Sequence, residues 1–410
     1  YICRHHRPLS QCIRHMVEGC FFSMVEGYSP TMADQTTIEW TDHTFSPWRG
    51  CAKVSPGCAH CYADVLSKRN PAVLGEWGKD ANRVIAAEAY WRKPLRWERE
   101  AAAFEAEHGR RQRVFANQLG DVFENRPDLA APRLRLLDLI RRTPSLDWQL
   151  LTKRPKNVLP LLRRAYEDAN AECNDPADDG SDWEEVEEWL ELVRWLDCWI
   201  TGDYVPENVW LGTSVEDQER AAQRVPALLK VPAAVRFLSM EPLLGPVNLS
   251  AALDHYWCPE CDHTWAPPGM REPDLPRDRR LAPCCSICSA DVGRDVRMYR
   301  RDGIDWVIVG GESGHGARPM HPDWARSLRD QCTEAGVPFL FKQWGAHAPA
   351  DCIACEGEDR TEGAECETCG SVIRAGWPPM LRVGKKASGR QLDGRTHDGF
   401  PSSPAGEVAP

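Results

Sequence analysis

The chain has 410 residues, with 18 cysteines, 17 tryptophans, and 50 Lys and Arg against 61 Asp and Glu, for a formal charge of -11. That length can bury a large core, enough for two or three domains or for one barrel with insertions. The acidic balance excludes a general basic surface for nucleic-acid phosphates but leaves room for a local basic groove, and no apolar run is long enough to cross a bilayer.

Residues 1–23 mix apolar and basic side chains without the continuous apolar stretch of a secretory signal, so a soluble, cytoplasmic protein is expected. Met32 opens a run to Trp40 that reads as a natural start. Residues 1–31, with Cys3, Cys12 and Cys20, read as an extension outside the fold. Most other cysteines fall in Cys-x-x-Cys pairs, which in a long chain without an export signal suggests metal or cluster binding rather than disulfides.

The first notable element is the run from Trp48 to Tyr62, which holds Cys51, Cys58 and Cys61. Ser55-Pro56-Gly57 predicts a turn that folds Cys51 back toward the other two. Thiolates select zinc or iron–sulfur. A closed zinc site wants four protein ligands and an electron-carrying cluster usually takes four thiolates. Three therefore suggest a centre with one position open to a cofactor or substrate. The competing reading is a zinc knuckle completed by His60 or His43, or plain buried thiols.

Near-continuous apolar runs follow at Val114–Asn117, Trp148–Thr152, Val209–Thr213, Val235–Ser239, Trp306–Gly310 and Pro338–Phe341. Each suits a strand covered on both faces in a parallel sheet. Helical spacing intervenes at Leu134–Ile140, Asn157–Ala165, Asp217–Leu229 and Asp323–Ala335. This alternation predicts an α/β fold, a complete or partial TIM-type (β/α) barrel over residues 32–345, with a doubly wound open sheet as runner-up. Polar residues recur just past the strands: Asp121, then Lys153 and Arg154, then Glu216, Glu241 and Glu312, with Lys342 inside the last run. Singly, each reads equally well as a solvated loop charge. Together they mark the carboxyl ends of the strands, where barrel active sites lie.

Three segments break the rhythm. Residues 168–204 hold an acidic run in which Trp189, Leu192, Val193 and Leu196 share a face, predicting an inserted amphipathic helix. Residues 251–303 carry Cys258, Cys261, Cys285 and Cys288. Residues 346–410 carry Cys352, Cys355, Cys366 and Cys369 before a Pro-, Gly- and Ser-rich end expected to be disordered. Each set of four predicts a zinc-ribbon-like structural site, with auxiliary iron–sulfur clusters as the alternative. Arginines from Arg271 to Arg301 surround the first set, a patch that suits a nucleic-acid backbone.

The cysteine triad after an early strand of an α/β barrel resembles the radical S-adenosylmethionine superfamily. That superfamily usually has Cys-x3-Cys-x2-Cys, where this chain has Cys-x6-Cys-x2-Cys. More closely, Ile38–Thr41, Ser46–Cys51, Ser55–Cys58, Leu151–Pro155, Trp210–Glu216, Leu238–Leu244, Gly310–Gly314 and Phe341–Gly345 resemble an uncharacterised phage and prophage family, a three-cysteine-motif domain of unknown function. The resemblance covers about residues 35–345. It implies a 4Fe-4S cluster on Cys51, Cys58 and Cys61, with S-adenosylmethionine at the free iron and release of a 5′-deoxyadenosyl radical. Tyr62 would sit beside the cluster. Lys153, Arg154 and Lys342 would meet the cofactor carboxylate; Glu216, Glu241 and Glu312 its amino group or ribose; Gly310 and Gly311 would permit close backbone approach. Asp121 and Lys153 are the catalytic candidates, an electron donor is the implied partner, and a nucleic acid or nucleotide is the expected substrate. The alternative is a zinc-stabilised nucleic-acid- or protein-binding phage factor without radical chemistry.

Overall fold

The computed structural model describes residues 36–174, 183–253, 303–350 and 376–401, with the short stretches 255–257, 264–265, 299–301, 363–366, 370–371 and 374. Seven parallel strands make the main sheet: β1 (His43–Phe45), β2 (Gln112–Ala116), β3 (Leu146–Thr152), β4 (Val209–Ser214), β5 (Val235–Met240), β6 (Trp306–Gly310) and β7 (Phe339–Gln343). They pair strictly in chain order, and β1 and β7 do not meet. A doubly wound sheet reverses its order at a switch point. That runner-up is excluded, and the architecture is a partial β/α barrel.

Alternation along the strands sorts side chains into two cores. Val114, Trp148, Leu150, Leu211, Leu238 and Val307 face the helices and join the main hydrophobic cluster. The opposite register forms a separate cluster of Phe115, Trp210, Phe237, Trp306, Ile308 and Leu340 with Trp40. This second cluster is the filled interior of the barrel. The Trp306 ring lies 6.3 Å from Trp40, 6.0 Å from Trp210 and 5.8 Å from Phe237. Gly212 on β4 has no alternative, because a Cβ there would stand 2.4 Å from the Phe237 ring.

Seven main helices accompany the strands: α1 (Tyr62–Ser67), α2 (Lys93–His108), α3 (Ala130–Arg141), α4 (Val158–Asn174), α5 (Trp183–Thr201), α6 (Gln218–Leu228) and α7 (Pro322–Ala335). Asp217 caps α6 by accepting from the Arg220 amide at 2.9 Å. Pro322 opens α7, and Gly336 at φ +67° ends it. The predicted acidic helix exists as α5, but the expected boundary at residue 168 falls inside α4. α5 packs along α4 and buries Leu192, Leu196 and Trp199 in the main core.

Two expectations need correction. The six predicted strands lacked β1, whose His-Thr-Phe sequence carries no apolar run. The tail after residue 346 is not simply disordered, because residues 376–401 return to the sheet. There Phe341 N donates to His397 O at 2.9 Å and Gly399 N to Phe339 O at 3.0 Å, along the free edge of β7. Phe400 then reaches the barrel interior, 5.2 Å from the Trp306 ring. This segment covers an edge that the missing last strand of a closed barrel would otherwise pair.

Of the ribbon cysteines, Cys258, Cys261, Cys285, Cys288, Cys352, Cys355 and Cys369 lie outside the described residues. Cys366 is buried, and its carbonyl accepts from Gly370 N at 2.7 Å. The arginine-rich stretch likewise lies outside the described side chains. Among the described residues, no helix is long and apolar enough to cross a membrane.

Candidate active site

The three cysteines lie in one loop between the short strand Trp48–Arg49 and α1. Ser55-Pro56-Gly57 makes the predicted turn, closed by Cys58 N donating to Ser55 O at 2.9 Å and Ala59 N to Pro56 O at 3.1 Å. Cys61 is the residue before α1. None of the three thiols is in a disulfide; Cys58 is buried and the other two half-buried.

Carboxylates from the ends of β2, β4 and β6 hold this loop over the sheet, each through a different stretch of it. Asp121, after β2, accepts from Arg154 at 2.7 Å, and Arg154 donates to Ala52 O at 2.8 Å while standing 3.7 Å from Cys51 Sγ. Glu216, after β4, is fully buried. Its Oε1 accepts from the Ser55 hydroxyl and, at 3.2 Å, from Gly57 N, and its Oε2 takes Arg224 at 2.7 Å. Glu312, after β6, receives a forked pair from Arg318 at 2.5 and 2.8 Å and lies 3.1 Å from His60 Nδ1. Arg318 in turn donates to Pro56 O at 3.0 Å. The loop is thus gripped at residues 51–52, at 55–57 and at 56–60.

Several of the expected site residues already have partners within the fold. Asp121, read as catalytic, also accepts from the Thr152 hydroxyl at 2.7 Å, Phe123 N at 3.0 Å and Lys153 N at 3.1 Å. These bonds occupy both oxygens of Asp121. Glu216 and Glu312 are occupied in the same way, and so is Arg154. Gly310 and Gly311 have packing reasons to be glycine: a Cβ would stand 2.7 Å from Glu241 Oε1 at the first and 1.9 Å from Trp344 O at the second.

Lys153, Glu241 and Lys342 do reach the mouth of the barrel. Lys153 Nζ donates to Ser214 Oγ at 3.0 Å, and Ser214 shares the inward register of Trp210. Lys342, in register with the inward Leu340, pairs with Glu241 Oε1 at 3.0 Å. Tyr62 is 57 % exposed and its hydroxyl donates to Gln118 O at 3.1 Å, so it flanks the loop rather than roofing it.

Burial pushes the Cys51 thiol up to about 12; Asp121 and Glu124 add to this and Arg154 opposes it. A metal must displace that proton on binding. Burial also raises the Glu312 carboxyl, but hydrogen bonds from Arg318 and His60 outweigh it and hold the group below the usual carboxylate range. Among the described residues, no three His, Cys, Asp or Glu side chains are grouped to hold a single metal ion. In a cuboidal cluster each thiolate faces a different iron, and three free thiols in one anchored loop, one of them beside a guanidinium, are a donor set that fits it.

Arg224 and Arg318 were missed from the sequence, and Ser55 and His60 were read only as part of a turn and as an alternative zinc ligand. Their pairings span from 8 to 262 positions, and no local pattern signals them. A cavity of about 590 Å3, lined by Asp42, His43, Trp97, Arg110 and Gln112, lies at the amino ends of β1 and β2, away from the cysteine loop.

Residues 35–401 match the family described as "Protein of unknown function (DUF5131)". The chain belongs to that family. No curated protein and no solved structure matches it. In this DUF5131 chain the matched span takes in the whole seven-stranded sheet, the cysteine loop and the tail segment that covers β7.

Proposed function

We propose that this chain is a radical S-adenosylmethionine-type enzyme, with Cys51, Cys58 and Cys61 as ligands of a 4Fe-4S cluster and a nucleic acid or nucleotide as substrate. One observation carries the reading: three thiols in one loop, anchored over the carboxyl ends of a barrel by three separate carboxylate–arginine pairs. A closed zinc knuckle is organised by its own metal. A centre that keeps one position open needs its ligands held by the protein instead.

When bound, the cluster supplies the electron that cleaves the cofactor's sulfonium. The chain's residues bind, orient and shield. Arg154 beside Cys51 favours the thiolate. Lys153 presents its ammonium to an anionic group at the mouth, and Glu241, held by Lys342, offers its carboxylate to a cationic amino group or ribose hydroxyls. An electron donor, a cytoplasmic setting and structural zinc on the later cysteine pairs belong to the same reading.

Anaerobic purification tests it. About four irons with matching sulfide, lost in Cys58→Ala, and 5′-deoxyadenosine formed by the reduced protein with S-adenosylmethionine are the expected results. Zinc alone at the triad supports a binding factor instead, and a fully loaded cluster that yields no 5′-deoxyadenosine overturns the assignment.

A further inference from the structure

The turn after β2 carries a feature that the tethers do not use. Asn117 is 2 % exposed, yet neither its Nδ2 nor its Oδ1 has a hydrogen-bond partner. Native proteins rarely leave a buried amide in that state.

Its location is fixed by both ends of the cysteine loop. Gly50, the residue before Cys51, donates its amide to Leu119 O at 2.9 Å, and Tyr62, the residue after Cys61, donates its hydroxyl to Gln118 O at 3.1 Å. The turn itself is closed by Gly120 N donating to Asn117 O at 3.1 Å. Gly120 must be glycine, because a Cβ there would stand 2.7 Å from Asn117 Nδ2 and 3.2 Å from Gly50 O. The unpartnered amide therefore lies in the floor between the two ends of the loop.

The neighbouring strand brings a charge to the same end of the sheet. β2 and β3 pair Ala116 with Leu150, and Lys153 follows three residues later. Its ammonium meets the Ser214 hydroxyl and, among the described residues, no carboxylate. Arg154, Arg318 and Lys342 are engaged by Asp121, Glu312 and Glu241.

We propose that Asn117 and Lys153 form a nucleotide-reading subsite beneath the cysteine loop, Asn117 taking the donor–acceptor edge of adenine and Lys153 an anionic group of the same molecule. A primary amide places one acceptor beside one donor, the complement of adenine N6–H and N7. A lysine ammonium suits a phosphate or a carboxylate as a point charge. An adenine nucleotide and an S-adenosyl amino acid share this chemistry, and the second source rests on the function proposed above.

The test is equilibrium binding of S-adenosylhomocysteine and of adenosine monophosphate, separately, to the full chain prepared without iron. The wild type binds at least one of them. Asn117→Leu and Asn117→Asp weaken that binding about tenfold to a hundredfold. Lys153→Met, at a half-buried position where packing changes little, does the same. Without ligand, Asn117→Leu melts at or above the wild-type temperature, because an apolar isostere breaks no bond of an unpartnered amide. Binding of adenosine monophosphate assigns the subsite to a nucleotide substrate, and binding of S-adenosylhomocysteine alone assigns it to the cofactor. The inference is overturned if the wild type binds neither probe, if Asn117→Leu and Lys153→Met bind normally, or if ligand-free Asn117→Leu melts well below wild type. None of these measurements needs the cluster, so failure to form 5′-deoxyadenosine leaves them standing.

Discussion

Gly57→Ala probes the grip on the cysteine loop most directly. A Cβ at Gly57 would stand 2.5 Å from Glu216 Cγ and 2.6 Å from its Oε1. Glu216 cannot retreat, since it is fully buried and held on its far side by Arg224 at 2.7 Å. The loop must therefore lift. Overpacking of this kind costs about 1–3 kcal/mol, and weakening the bonds from Gly57 N and Ser55 to a charged acceptor adds about 1.5 kcal/mol. A local loss of about 3 kcal/mol multiplies the opening equilibrium of the loop about a hundredfold. The assay is the reaction rate of the buried Cys58 thiol with a labelling reagent in metal-free protein, with the other cysteines followed by peptide mapping. Gly109→Ala is the control: it sits at φ +67° with nothing within 4 Å of an added Cβ, so it costs only backbone strain at the end of α2. Equal labelling of Cys58 in wild type and Gly57→Ala refutes the clamp.

Gly212→Ala should destabilise the whole barrel by about 3 kcal/mol, because its Cβ meets the immobile Phe237 ring at 2.4 Å; denaturant unfolding reads this, and Phe237→Leu in the same chain should recover part of it. Arg318→Ala should raise tryptic cleavage after Lys53 about tenfold, through loss of the bonds to Glu312 and Pro56 O. Arg318→Lys should not restore resistance, since lysine lacks the forked geometry. Asp147 is 1 % exposed, and burial lifts its carboxyl to about 6 against the opposing arginines 111, 113 and 110. Its folded value lies above the unfolded one, so its stabilising contribution is full below pH about 4 and lost as pH rises through about 6. Asp147→Asn should flatten that fall in urea-unfolding experiments, and an unchanged profile would discount the buried carboxyl.

The strands were legible because a parallel sheet covered on both faces forces continuous apolar runs, and β2 to β7 have them. β1 has three residues, one of them apolar, and it forms because its neighbour supplies the pairing His43 to Val114 and Phe45 to Ala116. The tail escaped notice for a related reason: its Pro and Gly content hides isolated anchors such as Met380, Leu392 and Phe400. At the site, the sequence placed Asp121, Glu216 and Glu312 at one end of the barrel but not their duties. Whether a carboxylate faces a ligand or a guanidinium depends on residues such as Arg224 and Arg318, which only the folded chain brings near. Asn117 read as the end of a strand, and nothing in its neighbours marks its amide as unpartnered.

The charge arrangement argues for a loop whose shape matters more than its stability. Asp121–Arg154, Glu216–Arg224 and Glu312–Arg318 all have carboxylates less than a tenth exposed. A fourth buried pair, Arg83–Glu124 at 2.9 Å, supports the same end of the sheet, where Glu124 also lies 3.5 Å from Arg154. Desolvating two charges usually consumes most of their attraction, and apolar residues of similar volume often give an equal or more stable fold. Their advantage is directional: a guanidinium fork accepts few orientations. In this barrel the rule separates by location, since the interior is closed by Trp40, Trp210, Phe237 and Trp306, while directional pairs are concentrated under the cysteine loop. Holding three thiols in a set geometry, with an unpartnered amide near the two ends of their loop, requires direction rather than adhesion. A loop serving only to cover the barrel mouth would need neither.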